Sequence, residues 1–181
     1  MKSLLEIYEK YQYSDGHGDK GTAHSYIEVY EELFNPYRFN STILEIGLAY
    51  GESFMMWREY FIDSTIIGVD ISDEEISVNF DLTEEKNIII CDATDEKLLD
   101  YIGNYKFDII IDDGSHILQD QIKTFHLLKK LMKKNGIYVI ENVNNIDTVK
   151  DEFLKLHTNC KIIDLRHIKN RYDDVLVVYQ F

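Results

Sequence analysis

Two apolar runs close this chain, CKIIDL at 160–165 and VLVVYQF at 175–181, and only nine residues, RHIKNRYDD, separate them. Both read as strands, because short runs rich in β-branched residues suit a pleated, half-buried surface. Nine residues cannot carry the crossover that parallel neighbours need, so the pair must form an antiparallel hairpin. Upstream the pattern is the opposite. Apolar runs at 42–47, 65–70, 87–91, 107–112 and 136–141 alternate with segments of helical spacing. Such alternation gives a parallel sheet with helices on both faces. The expected architecture is therefore α/β, a seven-stranded, mostly parallel sheet with the last strand antiparallel. Helices are expected at 51–61, weakly at 73–79, and at 94–102, 117–133 and 145–157. Two further helices, 3–12 and 24–34, flank a polar, glycine-rich stretch and make residues 1–40 an N-terminal helical cap.

The chain has 181 residues and a single proline, Pro36, with no Gly/Ser-rich linker, so residues 1–181 are read as one domain. No apolar run approaches the roughly 20 residues of a membrane span. The first residues are too acidic for a secretory leader. Cys91 and Cys160 fall in or beside expected strands and read as free thiols of a reducing cytosol, which makes the expected location cytoplasmic. The net charge of −14 lacks the basic footprint that binding to phosphates requires. It argues against a nucleic-acid partner.

The chemistry gathers at strand ends. The run FDIIID (107–112) stops in two carboxylates, Asp112 and Asp113; Gly114 and Ser115 turn the chain, and His116 opens the next helix. Ligands of open parallel sheets sit outside the carboxyl ends of the strands, so Asp112, Asp113 and His116 arrive together where chemistry is expected. After the first strand, LEIGLAYGES sets Glu45, Gly47 and Gly51 in the pattern E-x-G-x-x-x-G. Gly47 allows a sharp turn and Gly51 a close backbone approach. Ala49 stands where a pyrophosphate-binding loop would need glycine. A nucleoside without pyrophosphate fits better, and S-adenosylmethionine (SAM) is such a ligand. Asp70 ends the second strand, placed for ribose hydroxyls, and Asp92 follows the third, placed for the adenine amino group. Ser53 and Asp112 are counted with these on the cofactor side.

IDDGSH, LEIGLAYGES and the N-terminal GDKGTAHSYIEVYEELF together resemble the SAM-dependent, metal-assisted sugar O-methyltransferases, a group that includes the macrolide and aminocoumarin sugar methyltransferases and is related to cephalosporin-hydroxylase-type proteins. The resemblance runs from about Asp15 onward and implies the Rossmann-like fold of class I methyltransferases. It implies a divalent metal, usually Mg²⁺, held by Asp113, Glu141 and Asn142, with His116 as general base. It also implies that His24 and Tyr26 belong to a segment covering SAM and the acceptor. Asn142 departs from the family pattern, where that ligand is usually acidic, and supplies one charge fewer. Asp19 and Lys20 are left between a solvated turn and a cofactor contact. Arg166, Lys169 and Arg171 in the hairpin loop are candidates to meet a phosphate on the substrate. The implied activity is methylation of a sugar hydroxyl, on a nucleotide-linked sugar or glycan precursor. A non-sugar small molecule as acceptor, or a catalytically silent SAM-binding scaffold, remains an alternative. The oligomeric state is left open, a homodimer being one option.

Overall fold

The structure, a computed structural model, describes residues 1–11, 18–81 and 83–181. The polar stretch 12–17, with His17, and Leu82 lie outside the described residues. Seven strands form one sheet: β1 (Thr42–Ile46), β2 (Thr65–Asp70), β3 (Ile88–Ile90), β4 (Phe107–Asp112), β5 (Met132–Ile140), β6 (Cys160–Asp164) and β7 (Val175–Gln180). The helices are α1 (Leu4–Lys10), α2 (Ile27–Phe34), α3 (Glu52–Tyr60), α4 (Leu98–Ile102), α5 (Leu118–Leu128), α6 (Ile146–Leu154) and the one-turn α7 (Arg166–Lys169). None is long and apolar enough to cross a membrane.

The strand order is β3-β2-β1-β4-β5-β7-β6. The pairs among β1 to β5 are parallel, and β7 runs antiparallel to both β5 and β6. Two reversals bring β6 back to the direction of β1 to β5, so β7 alone is reversed, as the hairpin spacing requires. The order switches direction at β1 and β4, which places a crevice at their carboxyl ends. Both strands are buried on both faces, and the sheet separates two apolar cores. One core packs α1, α2 and α3 around Trp57, Phe34 and Ile109; the other packs α4, α5 and α6 around Phe125, Phe107 and Tyr138.

Boundaries differ from the sequence expectation in several places: α2 and α4 each begin three or four residues later than expected, at Ile27 and Leu98, and α6 ends three earlier, at Leu154. The helix expected over 117–133 ends at Leu128, and a 3-10 turn at Lys129–Leu131 leads into β5 at Met132, four residues before the apolar run begins. Residues 132–135, polar after Met132, extend the strand: Met132 pairs with Phe107, and Lys133 Nζ reaches Asp108 Oδ2 at 2.7 Å. The weak helix expected at 73–79 is a 3-10 turn at Ile76–Val78.

The N-terminal cap is locked by specific bonds. Ser3 and Glu6 form a reciprocal capping box at the start of α1. Glu59 on α3 then accepts from Lys2, Lys10 and Tyr11. The bonds from Lys10, Lys2 and Tyr11 hold the Glu59 carboxyl down at about 2. A carboxyl depressed on folding stabilises the protein above its unfolded pKa and loses that contribution as pH falls towards the folded value. Glu59→Gln should therefore cost about 1 kcal/mol at pH 7. In urea titrations the gap from wild type should close between about pH 4.5 and pH 2. A gap that ignores pH would assign the loss to packing.

Candidate active site

The carboxyl ends of β1, β2, β3 and β4 open into a cavity of about 480 Å³, within the ordinary range for a small-molecule site. Gly47, Ala49, Gly51 and Ser53 come from the loop after β1 and the start of α3; of these, Gly47, Ala49 and Ser53 line the cavity, as do Asp70, Asp92, Asp112, Asp113 and His116. Gly47 has φ +81°, and a Cβ there would lie 2.0 Å from the Asp113 carbonyl oxygen. The loop after β1 and the loop after β4 thus touch backbone to backbone, and only glycine permits it. Gly51, at φ +86°, caps α3 without a side chain of its own that would collide with Phe80 and Ile76.

Asp70 does more than face the cavity. Its Oδ2 accepts from the backbone N–H groups of Leu48 at 2.7 Å and Ala49 at 3.1 Å. It therefore fixes the loop that carries Ala49 in a left-handed conformation. Asp92 accepts from Thr94 N–H at 2.8 Å. Glu45 stands behind the wall. It is fully buried, accepts from Trp57 Nε1 at 3.0 Å, and burial pushes its carboxyl up to about 7. Asp112, buried and facing the cavity, accepts from Tyr138 at 3.0 Å and is likewise raised to about 7 by burial.

Asp113 is the centre of the polar cluster. Its Oδ1 meets His116 Nε2 at 3.0 Å and its Oδ2 accepts from Lys20 Nζ at 2.7 Å. His116 turns back onto Asp113 because its backbone adopts φ +56°, a left-handed conformation uncommon for a side-chain-bearing residue. Burial would lower the imidazole pKa, but the bond to Asp113 and its charge outweigh this and raise it. Asn142, also left-handed at φ +53°, directs Nδ2 toward Asp113 Oδ1 and His116 Nε2, each at 3.4 Å, and accepts through Oδ1 from Tyr26 at 2.8 Å.

Lys20 is not in a solvated turn: it is 3% exposed and lines the cavity, and its ammonium also donates to Glu141 Oε1 at 2.8 Å and lies 3.9 Å from Glu45. Burial would strip its proton, yet the three carboxylates outweigh that and hold it charged. Glu141 is itself fully buried, accepts from Tyr30 at 2.7 Å, and is pushed well up by burial and by the charge of Asp113.

The cap residues assigned to the cofactor sit elsewhere. His24 and Tyr26 are fully buried, stack on each other, and do not line the cavity. Tyr26 instead fixes Asn142, and His24 lies between Asp19 and Asp174 at 3.5 Å from each. The hairpin cations are also engaged within the protein. Arg166 is gripped by Asp147 and Asp164, Arg171 by Asp173, and Lys169 donates to the carbonyls of Gly21 and His24. Arg166 and Arg171 border a shallow depression separate from the main cavity.

A divalent cation is tested against the donor set. Asp113, Glu141 and Asn142 offer oxygens, which suit a hard ion. Glu141 Oε2 is buried without a partner, and three carboxylates converge on one ammonium, so the cluster carries anionic capacity for a further cation. Among the described residues no three His, Cys, Asp or Glu side chains form a metal centre by themselves, so Asn142 is needed as a donor. Turning its amide by half a rotation would present Oδ1 to Asp113 and His116, and the Tyr26 hydroxyl could then donate to its second acceptor, Asp173 O, at 3.2 Å. With that rotation the residues fit.

Comparison with known proteins identifies the family. Residues 39–176 match the family model described as a methyltransferase domain, and the chain belongs to that family. It is 34% identical over 140 residues to the 8-demethyl-8-alpha-L-rhamnosyl tetracenomycin-C 2'-O-methyltransferase of Streptomyces olivaceus, covering 70% of this chain and 35% of that one. It is 33% identical to the demethylmacrocin O-methyltransferase of Streptomyces fradiae, covering 68% of this chain and 33% of that one. The fold superimposes on the MycE methyltransferase of the mycinamycin biosynthetic pathway, solved in complex with Mg and SAH, with a TM-score of 0.71 and 25% identity over 99% of this chain and 55% of that chain. The chain thus spans about a third of the length of these sequence relatives and about half of MycE.

Proposed function

We propose that this chain is a SAM-dependent O-methyltransferase acting on a sugar hydroxyl, carried on a nucleotide-linked sugar or glycan precursor, with Mg²⁺ assisting and His116 as general base. The observation that carries this reading is the His116–Asp113 pair, at 3.0 Å, in the wall of the same cavity that Gly47, Asp70 and Asp92 line. The sugar hydroxyl as acceptor is supported by the relatives, whose names specify O-methylation of a rhamnosyl group or of demethylmacrocin. SAM supplies an electrophilic methyl group, and a divalent cation at Asp113, Glu141 and Asn142 would acidify the acceptor hydroxyl. His116 takes the hydroxyl proton, and its bond to the Asp113 carboxylate orients the ring and raises its basicity. Asp70 holds the ribose as well as the loop, and Asp92 faces the adenine. The hairpin cations are not needed by this reading, since Arg166 and Arg171 are paired with carboxylates of the protein and Lys169 donates to its carbonyls. A cytoplasmic location belongs to the same proposal.

Thermal melting with S-adenosylhomocysteine (SAH), the demethylated product, tests it. A ligand that binds only the native state must raise Tm. Wild type should show a clear upward shift at millimolar SAH. Asp70→Ala should lose most of that shift and melt lower even without ligand, because Leu48 and Ala49 lose their acceptor. A wild type that ignores SAH would sink the methyltransferase reading.

A further inference from the structure

We propose that Lys20 is a built-in counter-ion of the acceptor-side acids, and that its ammonium competes with a divalent cation for them. The inference rests on the metal-assisted part of the proposed function. Asp113, Glu141 and Glu45 converge in a region where each needs a positive partner, since a buried carboxylate without one is strongly unfavourable. Lys20 Nζ is that partner, at 2.7 Å from Asp113 Oδ2, 2.8 Å from Glu141 Oε1 and 3.9 Å from Glu45 Oε1. One ammonium serves three acidic side chains, and Glu141 Oε2 and Glu45 Oε2 have no partner, so oxygens remain for a further cation. A metal ion drawn to those oxygens would lie close to the ammonium, and the two cations would repel in a largely buried site.

The geometry allows the lysine to yield. Its main chain is tied down: Lys20 O accepts from Tyr26 N–H at 2.9 Å, Gly18 O from Tyr8 and Thr22 hydroxyls at 2.8 Å each, and Gly21 O from Lys169. Its side chain, by contrast, borders the open cavity. The long, flexible stem can carry the ammonium away from Asp113 without moving the backbone. The fold is thereby satisfied without metal, and metal binding must displace or crowd an internal cation. A lysine here weakens metal affinity while keeping Asp113 and Glu141 in place.

The test is calorimetric titration of Mg²⁺ into the full chain, with melting curves in EDTA and in Mg²⁺, for wild type, Lys20→Met and Lys20→Arg. Lys20→Met should melt lower in EDTA, recover more than wild type when Mg²⁺ is added, and bind Mg²⁺ at least about tenfold more tightly. Lys20→Arg, which keeps the charge, should gain no Mg²⁺ affinity. If Lys20→Met cannot be purified, Lys20→Met/Glu45→Gln removes one carboxylate together with the ammonium, and its Mg²⁺ affinity should still exceed that of Glu45→Gln alone. Mg²⁺ affinity that is unchanged or weaker on loss of the ammonium overturns the proposal. If SAH still raises the wild-type Tm in that case, the methyltransferase reading stands and only the role of Lys20 falls. Absence of Mg²⁺ binding to every variant overturns both the Lys20 role and metal assistance.

Discussion

His116→Ala should lower kcat for methyl transfer by about 10²–10⁴-fold, the range for loss of a positioned general base. The SAH-induced rise in Tm should survive, because the imidazole belongs to the acceptor side and Gly47, Asp70 and Asp92 are untouched. The left-handed backbone at 116 turns the ring onto Asp113, so His116→Asn, which tolerates that backbone, is the stricter control. It should be as inactive as His116→Ala and no less stable. Single-turnover rates with a sugar acceptor, set beside SAH melts, check both halves. A variant that keeps near-wild-type kcat from pH 6 to 8 would remove His116 as the base.

Gly47→Ala should be the most damaging glycine-to-alanine change among the described residues. A methyl group there would lie 2.0 Å from the Asp113 carbonyl oxygen and 2.6 Å from its carbon, in a residue held at φ +81°. Strained backbone and overpacking each cost about 1–3 kcal/mol, and neither loop can retreat without losing a ladder bond, Gly47 N–H to Val69 O or Asp113 N–H to Ile46 O. Gly103 offers the comparison: it has φ +63°, but nothing lies within 4 Å of its missing Cβ. Gly103→Ala should cost about 1 kcal/mol, and Gly47→Ala several times that with loss of the SAH shift. Urea denaturation of both variants separates conformational strain from collision. Equal losses would mean that the contact between the two loops is slack.

The strands and their ends were legible because their signals are local. Ile109, Ile110 and Ile111 announce a buried strand, Asp112 and Asp113 its end, and the nine-residue gap before Val175 forces the reversal of β7. Lys20 was not legible. Its partners stand 93 and 121 residues further along, and its neighbours Gly18, Asp19 and Gly21 have the composition of a solvated turn. A usable signal did exist: Glu45 lies near the end of a buried strand and Asp113 and Glu141 each directly follow one, and acids gathered at one end of a sheet favour a cation among them. The hairpin arginines misled for the converse reason. Arg166 lies in a basic local run, but Asp147, 19 residues earlier, and Asp164 take up its planar fork. Tyr26 and Tyr30 are both fully buried, and their hydroxyls set Asn142 and Glu141, a role that apolar periodicity cannot encode.

The cap is fastened to the far end of the sequence. Ser25 N–H donates to Asp174, Tyr26 to the carbonyl of Asp173, and Lys169 to the carbonyls of Gly21 and His24. During translation these partners follow the cap by about 150 residues. The segment holding Lys20 therefore waits, undocked, until residue 174 has left the ribosome. The acids it will meet are already translated by then, Glu141 33 residues earlier and Asp113 61, and through that interval they stand without the ammonium.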